Sequence, residues 1–340
     1  MRAVTISATT GIDGIKLVVQ PVPEPGPRDV LIRVRSASLN FRDLLLPLGA
    51  FPRAMHYLGR VPLSDGAGDV IAVGSEVTRV RAGDRVAVTT KIRWISGPPS
   101  ADDRDGSPGF TTDGLLREYA AFDEDAVVRI PDGLNYDEAA SLPCAAVSAW
   151  AALTTGPCSL LPGQTLLVQG TGGVSLFALQ FGLLCGARVI GITSTESKSA
   201  LMRELGAAAV VNYRELPEWQ NRVLELTGGR GVDRVVDIGG SDTLGRSAQC
   251  TRVGGVLSCV GFVTGQAGGI DPITLVSRAL QVRGHLMGNR GQFEEMLTAM
   301  TYHSVHPVID SAVFGSHEAA LAYRHLHEAK HIGKVVIRIG

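Results

Sequence analysis

From about residue 165 the chain repeats one arrangement: a short apolar run, a turn, and a helix-patterned segment. The runs are "TLLVQG" (165–170), "ARVIGIT" (187–193), "AAVVNY" (208–213), "VDRVVDIGG" (232–240), "GGVLSCVGF" (254–262) and "ALQVRGHLMG" (279–288). Most carry four to six apolar residues with no polar alternation, so neither face can be left in water. Such strands, separated by helix-like segments such as "SKSALMRELG" and "LPEWQNRVLELTGG", predict a parallel sheet covered on both faces.

The flanking parts read differently. "DVLIRVRSASL" alternates, with Val30, Ile32 and Val34 on one face and Arg33 and Arg35 on the other. "GDVIAVGSEVTRVRAGDRVAV" supplies two more short strands. "SLNFRDLLLPLGAF" predicts a short helix ended by Pro47 and Gly49, and "SGPPSADDRDGSPGFTTDG" a mobile surface loop. "YDEAASLPCAAVSAWAAL" reads as a helix, and the tail returns to helix and strand that pack back on the first part. At 340 residues two domains are expected, an α/β protein with a β-rich domain over 1–122, a nucleotide-binding domain over 123–288 and a closing segment over 289–340.

Composition narrows the function classes. A net charge of −1 with 19% charged residues gives no basic surface for nucleic acid or membrane, and the apolar stretches stop well short of a membrane span. The five cysteines, Cys144, Cys158, Cys185, Cys250 and Cys259, form no CxxC pair and read as core hydrophobes of a reducing, cytoplasmic protein. No signal-peptide core is expected in "MRAVTISATTGIDG".

The turn "GTGGV" joins the first apolar strand to its helix. Glycines there let a pyrophosphate approach the backbone of Gly170, Thr171, Gly172, Gly173 and Val174, with the helix N-terminus facing its charge. The third glycine of the usual motif is replaced by Ser175, small enough for the helix to pack on the strand. At the end of the second strand, where an NAD site carries an acid, the chain has Thr193 and Ser194. Ser194 and Thr195 offer hydroxyls, Lys198 a charge and Tyr213 a ring for the adenosine end, so NADPH is expected over NADH; the direction of Glu196 is left open.

The order of these blocks resembles the medium-chain dehydrogenase/reductase superfamily over essentially the whole chain. "SLNFRDLLLPLG", "PLSDGAGDVIAVGSEVTRVRAGDRV", "LPCAAVSAWAAL", the glycine turn and the closing "HIGKVVIRI" carry the resemblance, which is best to the zinc-free branch of quinone oxidoreductases, zeta-crystallin and enoyl reductases. It implies a GroES-like catalytic domain with a Rossmann domain inserted before its last segment. It places Asn40, Ser64 and Cys144 where the zinc enzymes hold their catalytic metal, so no metal is expected. His303 and His306, or His325, His327 and His331, read as surface histidines rather than a new site. The resemblance also brings Ser148 to the nicotinamide ring, and Val260, Gly261, Phe262, Met287 and Gly288 to its carboxamide. It implies a homodimer paired through "LQVRGHLMG".

Without a Lewis acid, hydride transfer from NADPH is easiest to an acceptor that is already electron-poor. Asn40 is the candidate for positioning substrate or nicotinamide. Arg42 can neutralise an enolate with Asp43 orienting it, or the two can simply fix the short helix; Tyr57 is either a proton donor or a wall. The expectation is reduction of a small electrophilic quinone or activated C=C bond. The alternatives are a metal-free alcohol/ketone oxidoreductase and a weakly active dinucleotide binder.

Overall fold

The computed structural model describes residues 1–50, 54–156 and 159–340, so Cys158 lies outside the described residues. The chain divides into two compact units, Met1–Val147 with Gly288–Gly340, and Ser148–Met287. Among the described residues no helix is long and apolar enough to cross a membrane.

The first unit opens with a separate hairpin of β1 (Arg2–Ile6) and β2 (Ile15–Val19). Its main strands are β3 (Asp29–Ser38), β4 (Asp65–Val73), β5 (Arg85–Val88), β6 (Tyr119–Asp123) and β7 (Val127–Arg129). Two short helices, α1 (Phe41–Leu44) and α2 (Tyr136–Ala140), follow β3 and β7. One turn of π-helix, Leu142–Ala146, then leads to α3 (Val147–Thr154).

In the second unit each of β8 (Thr165–Gln169), β9 (Arg188–Thr193), β10 (Ala209–Asn212), β11 (Val232–Asp237) and β12 (Thr251–Cys259) is followed by a helix. These are α4 (Gly173–Leu184), α5 (Glu196–Glu204), α6 (Trp219–Leu226), α7 (Leu244–Cys250) and α8 (Pro272–Ser277), and β13 (Gln281–Gly284) closes the unit. The chain returns to the first unit with α9 (Arg290–Tyr302), β14 (Ile309–Gly315), α10 (Ala319–His327) and β15 (Lys334–Arg338).

The sheet of the first unit has the order β14-β15-β3-β4-β5-β7, with β6 also on β3. β3 runs antiparallel to both β15 and β4, with Ser38 opposite Val336 on one side and Asp65 on the other. Its C-terminal end therefore meets the starts of two strands from opposite ends of the sequence, which places Asn40, Asp65 and Lys334 at one edge of the sheet. Val30, Ile32 and Val34 are buried in the core together with Leu116, Tyr323 and Ile337.

Two expectations change here. Residues 123–147, expected with the nucleotide-binding domain, belong to the first unit, because β7 pairs with β5 and Ser36 Oγ donates to the Asp137 carboxylate. The polar loop near 97–114 is exposed only in its first part; Gly106–Phe110 is buried and Phe110 N–H donates to Ser107 O.

The second unit is a six-stranded parallel sheet in the order β10-β9-β8-β11-β12-β13. Every residue of β8 and β11 is buried, as continuous apolar strands between two helical layers require. Connections leave β8 in one direction and β11 in the other, making their junction the switch point where such sheets bind dinucleotides. β12 begins at Thr251, earlier than the glycine pair at 254–255 suggests. Pairing with β11 jumps from Thr251 to Val256, and Gly254 absorbs the irregularity at φ +69°.

Candidate active site

Apart from Gly288, the coenzyme candidates lie in the second unit and the catalytic candidates in the first. In the second unit, Gly170 ends β8 at φ +78°, and a Cβ there would meet nothing within 4 Å, so the turn is open beside the backbone. Gly172 caps the twelve-residue α4 without a side-chain bond, leaving its first-turn amides without a side-chain cap. Thr171 Oγ1 is buried without a hydrogen-bond partner among the described residues. An uncapped helix start, an open glycine and an orphaned hydroxyl together fit a pyrophosphate. Ser175 does what the missing glycine would: its hydroxyl folds back to donate to Gln169 O, binding helix to strand.

At the end of β9, Thr195 caps α5, its Oγ1 accepting from Lys198 N at 3.3 Å. Glu196 is turned to Arg203, 2.7 Å away, which answers the open question of its direction. Tyr213 is exposed, its N–H donating to Thr193 O. Val260 and Gly261 hook back on the end of β11, both donating to Asp237 O. The Asp237 carboxylate holds the turn that follows β11, accepting from Gly239, Gly240 and Thr243, and also from Gln169 and Ser247. Sequence reasoning missed Asp237; an acid closing an apolar strand before "IGG" was its signal. Phe262 is exposed, Met287 takes φ +53°, Ser148 is buried on α3, and Gly288 falls in the first unit.

In the first unit the polar cluster is built around Asn40, two residues past the end of β3. Its N–H donates to Asp43 Oδ2 at 2.8 Å, closing the start of α1. Its amide oxygen accepts from Lys334 Nζ at 2.6 Å, and the same ammonium donates to Leu39 O at 2.6 Å. Lys334 also lies 3.6 Å from Asp65, which is fully buried and accepts from Ser64 Oγ and from Cys144 N. The Asn40 NH2 group is buried and has no partner among the described residues.

Arg42 links this cluster to the loop of Ser107 and Phe110. Its guanidinium lies 4.2 Å over the Phe110 ring and donates to Ser107 Oγ, while Tyr57 meets the same ring edge-on. The Asp43 carboxylate caps its own helix through the Asn40 N–H and lies within electrostatic reach of Arg42, as expected of a pair that fixes the short helix. Lys91, which sequence reasoning passed over, is only 5% exposed and sits within electrostatic reach of Arg42 and Cys144. Burial, then Arg42, brings its ammonium down to about 8.

Burial also raises the Asp43 carboxyl to about 6, with Asp65 adding to the rise while Arg42, the Asn40 N–H and Lys334 oppose it. Between its ordinary value near 4 and 6, the folded chain keeps a proton the unfolded chain has lost, so stability falls as pH rises through that window. Asp43→Asn, which retains a capping oxygen, should gain about 1–3 kcal/mol at pH 7–8 and nothing near pH 4. Urea unfolding of both forms across that range checks it.

The positions that hold zinc in related enzymes do not suit a metal here. Asn40 gives its oxygen to a cation already present, and Ser64 donates to Asp65. Burial, then Asp65, pushes the Cys144 thiol up to about 12, and neither the Asn40 amide nor the Ser64 hydroxyl is an anionic ligand. Among the described residues no histidine, cysteine and carboxylate groups cluster as a metal site; His306 bonds Glu138 and His325 bonds Asp310.

The chain matches two family models, an alcohol dehydrogenase GroES-like domain over residues 26–132 and a zinc-binding dehydrogenase over 173–301. It is 35% identical to a zinc-type alcohol dehydrogenase-like protein of Schizosaccharomyces pombe, covering 100% of this chain and 99% of the relative. It is 34% identical to a quinone oxidoreductase of Pseudomonas aeruginosa, covering 82% of this chain and 78% of the relative. Among solved structures it is similar to an NAD-dependent alcohol dehydrogenase, with 30% identity, TM-score 0.89 and all of both chains covered. It is also similar to a mycobacterial protein complexed with NADPH, with 27% identity, TM-score 0.84, and 99% of this chain and 100% of that one covered.

Proposed function

The chain belongs to the medium-chain dehydrogenase/reductase superfamily of oxidoreductases, and we propose that within it this protein is an NADPH-dependent reductase of quinones or of activated C=C bonds. The observation that carries this reading is the buried Asn40 amide, held by its oxygen with its NH2 uncommitted, in a cluster unsuited to zinc. One neutral N–H donor is a modest electrostatic aid. It suffices where the acceptor delocalises the arriving charge, and falls short for an unactivated alcohol, whose alkoxide needs a cation.

NADPH is held by the turn Gly170–Val174, with Ser194, Thr195, Lys198 and Tyr213 around its adenosine end, and supplies a hydride when bound. The electron pair displaced from the C=C bond comes to rest on the substrate's carbonyl oxygen, where Asn40 donates. Lys91 is the proton source for the carbon and takes a proton back from water; Arg42, within electrostatic reach of it, lies over Phe110, which Tyr57 meets edge-on. The homodimer belongs to the same reading: β13 is the edge of its sheet with Val282 exposed on it, and Ile273 and Val276 are exposed on the preceding α8.

The test is NADPH and NADH consumption with quinones, enones, enoyl thioesters and ketones. Turnover of quinones or enones with NADPH favoured at least tenfold in kcat/KM is expected. Lys198→Ala should lower kcat/KM for NADPH by about 10–100-fold, the value of a lost charged hydrogen bond, and leave NADH nearly unchanged. Ketones alone as substrates would install the alcohol/ketone reading, in line with the names of several relatives. Silence across the panel with tight NADPH binding would leave a dinucleotide binder. Equal use of both coenzymes would remove the assignment of Lys198.

A further inference from the structure

Lys334 is 2% exposed, and its ammonium touches three oxygen-bearing groups: Asn40 Oδ1 and Leu39 O at 2.6 Å, and Asp65 Oδ2 at 3.6 Å. An ammonium donates hydrogen bonds and accepts none. The contact therefore fixes which way the Asn40 amide faces, with oxygen toward Lys334 and NH2 turned away. Rotating the amide to find its NH2 an acceptor would set NH2 against the ammonium, so the orphaned donor is locked in place. We propose that Lys334 is the positioning residue of this site, presenting the Asn40 N–H to the oxygen of an uncharged, electron-poor carbonyl or quinone. The proposal rests on the reductase reading for its substrate, but its geometry does not.

The ammonium also sits one amide away from the oxygen that becomes negative during reduction. Its attraction grows as charge arrives, so it acts on turnover more than on substrate binding. A second role is compensation of the buried Asp65 carboxylate. Removing Lys334 alone would strand that charge, so the informative change removes both, as Lys334→Met with Asp65→Asn.

Four forms separate positioning from mere support: wild type, Asn40→Ala, the paired variant, and all three substitutions together. The paired change should lower kcat about 10–30-fold in the wild-type background, with KM and the NADPH dissociation constant within about twofold. In the Asn40→Ala background it should cost less than about twofold, because a positioning residue has nothing left to position. Equal losses in both backgrounds, or no loss, would overturn the proposal. The cycle is run on whichever acceptor the panel shows active, so a ketone-only enzyme ends the reductase reading without deciding this one. Independently of any substrate, an asparagine-15N spectrum of the wild type should show, beside the buried Asn289 amide, a second slowly exchanging NH2 pair that Asn40→Ala removes. Hydrogen exchange of that pair as fast as in an exposed asparagine would overturn the proposal even if the paired variant failed to fold.

Discussion

Asn40→Ala should lower kcat by about 10²–10³-fold while the NADPH dissociation constant changes by less than about twofold. The size follows from losing a single oriented donor to a developing oxyanion. Asn40 is buried, its oxygen is committed to Lys334 and its backbone N–H to Asp43, so the one group it has left to offer is the NH2. Asn40→Asp keeps the oxygen for Lys334 but replaces the donor with a negative charge, and should be at least as slow. The turn proposed to hold the coenzyme, Gly170–Val174, belongs to the other unit, so the substitution leaves its backbone unchanged. Stopped-flow turnover with NADPH titrated by its fluorescence checks both halves. A rate within twofold of wild type would take Asn40 out of the site.

Much of this arrangement was legible in the sequence because it is written locally. Unbroken apolar runs such as "TLLVQ" can only be buried on both sides, and a glycine turn between one of them and a helix has one favoured use. Ser175 was readable as a tolerated substitute, though its bond back to Gln169 O was not. Lys334 was invisible for the opposite reason. In "GKVVIRI" it reads as a charged residue entering an edge strand, and its partner Asn40 lies 294 positions away across the β15–β3 pairing. Lys91 in "TTKIRW" has no periodicity to mark it as buried; the turn around it, with Trp94 N–H donating to Lys91 O, folds it inward. Asp43 was legible as part of a pair with Arg42 that fixes the short helix, though its bond to the Asn40 N–H was not.

Lys91→Met should cost enone or enoyl reduction about 10²-fold in kcat and quinone reduction far less. Protonating carbon is slow without a positioned acid, whereas the oxygens of a reduced quinone take protons readily from water. With its ammonium brought down to about 8, Lys91 is a better acid at neutral pH than an ordinary lysine. The wild-type rate with an enone should be flat below pH 8 and fall as pH rises through it, since the acid form is then lost; the variant should show no such limb. Stability moves the other way. Between 8 and the ordinary 10.5 the unfolded chain binds the proton that the folded chain has released, so stability rises with pH across that window, and Lys91→Met removes the slope. Opposite slopes for rate and stability over the same range mark a buried lysine used as an acid. An alkaline limb that survives in Lys91→Met would assign the proton to another group, with Tyr57, edge-on to Phe110, the next to vary.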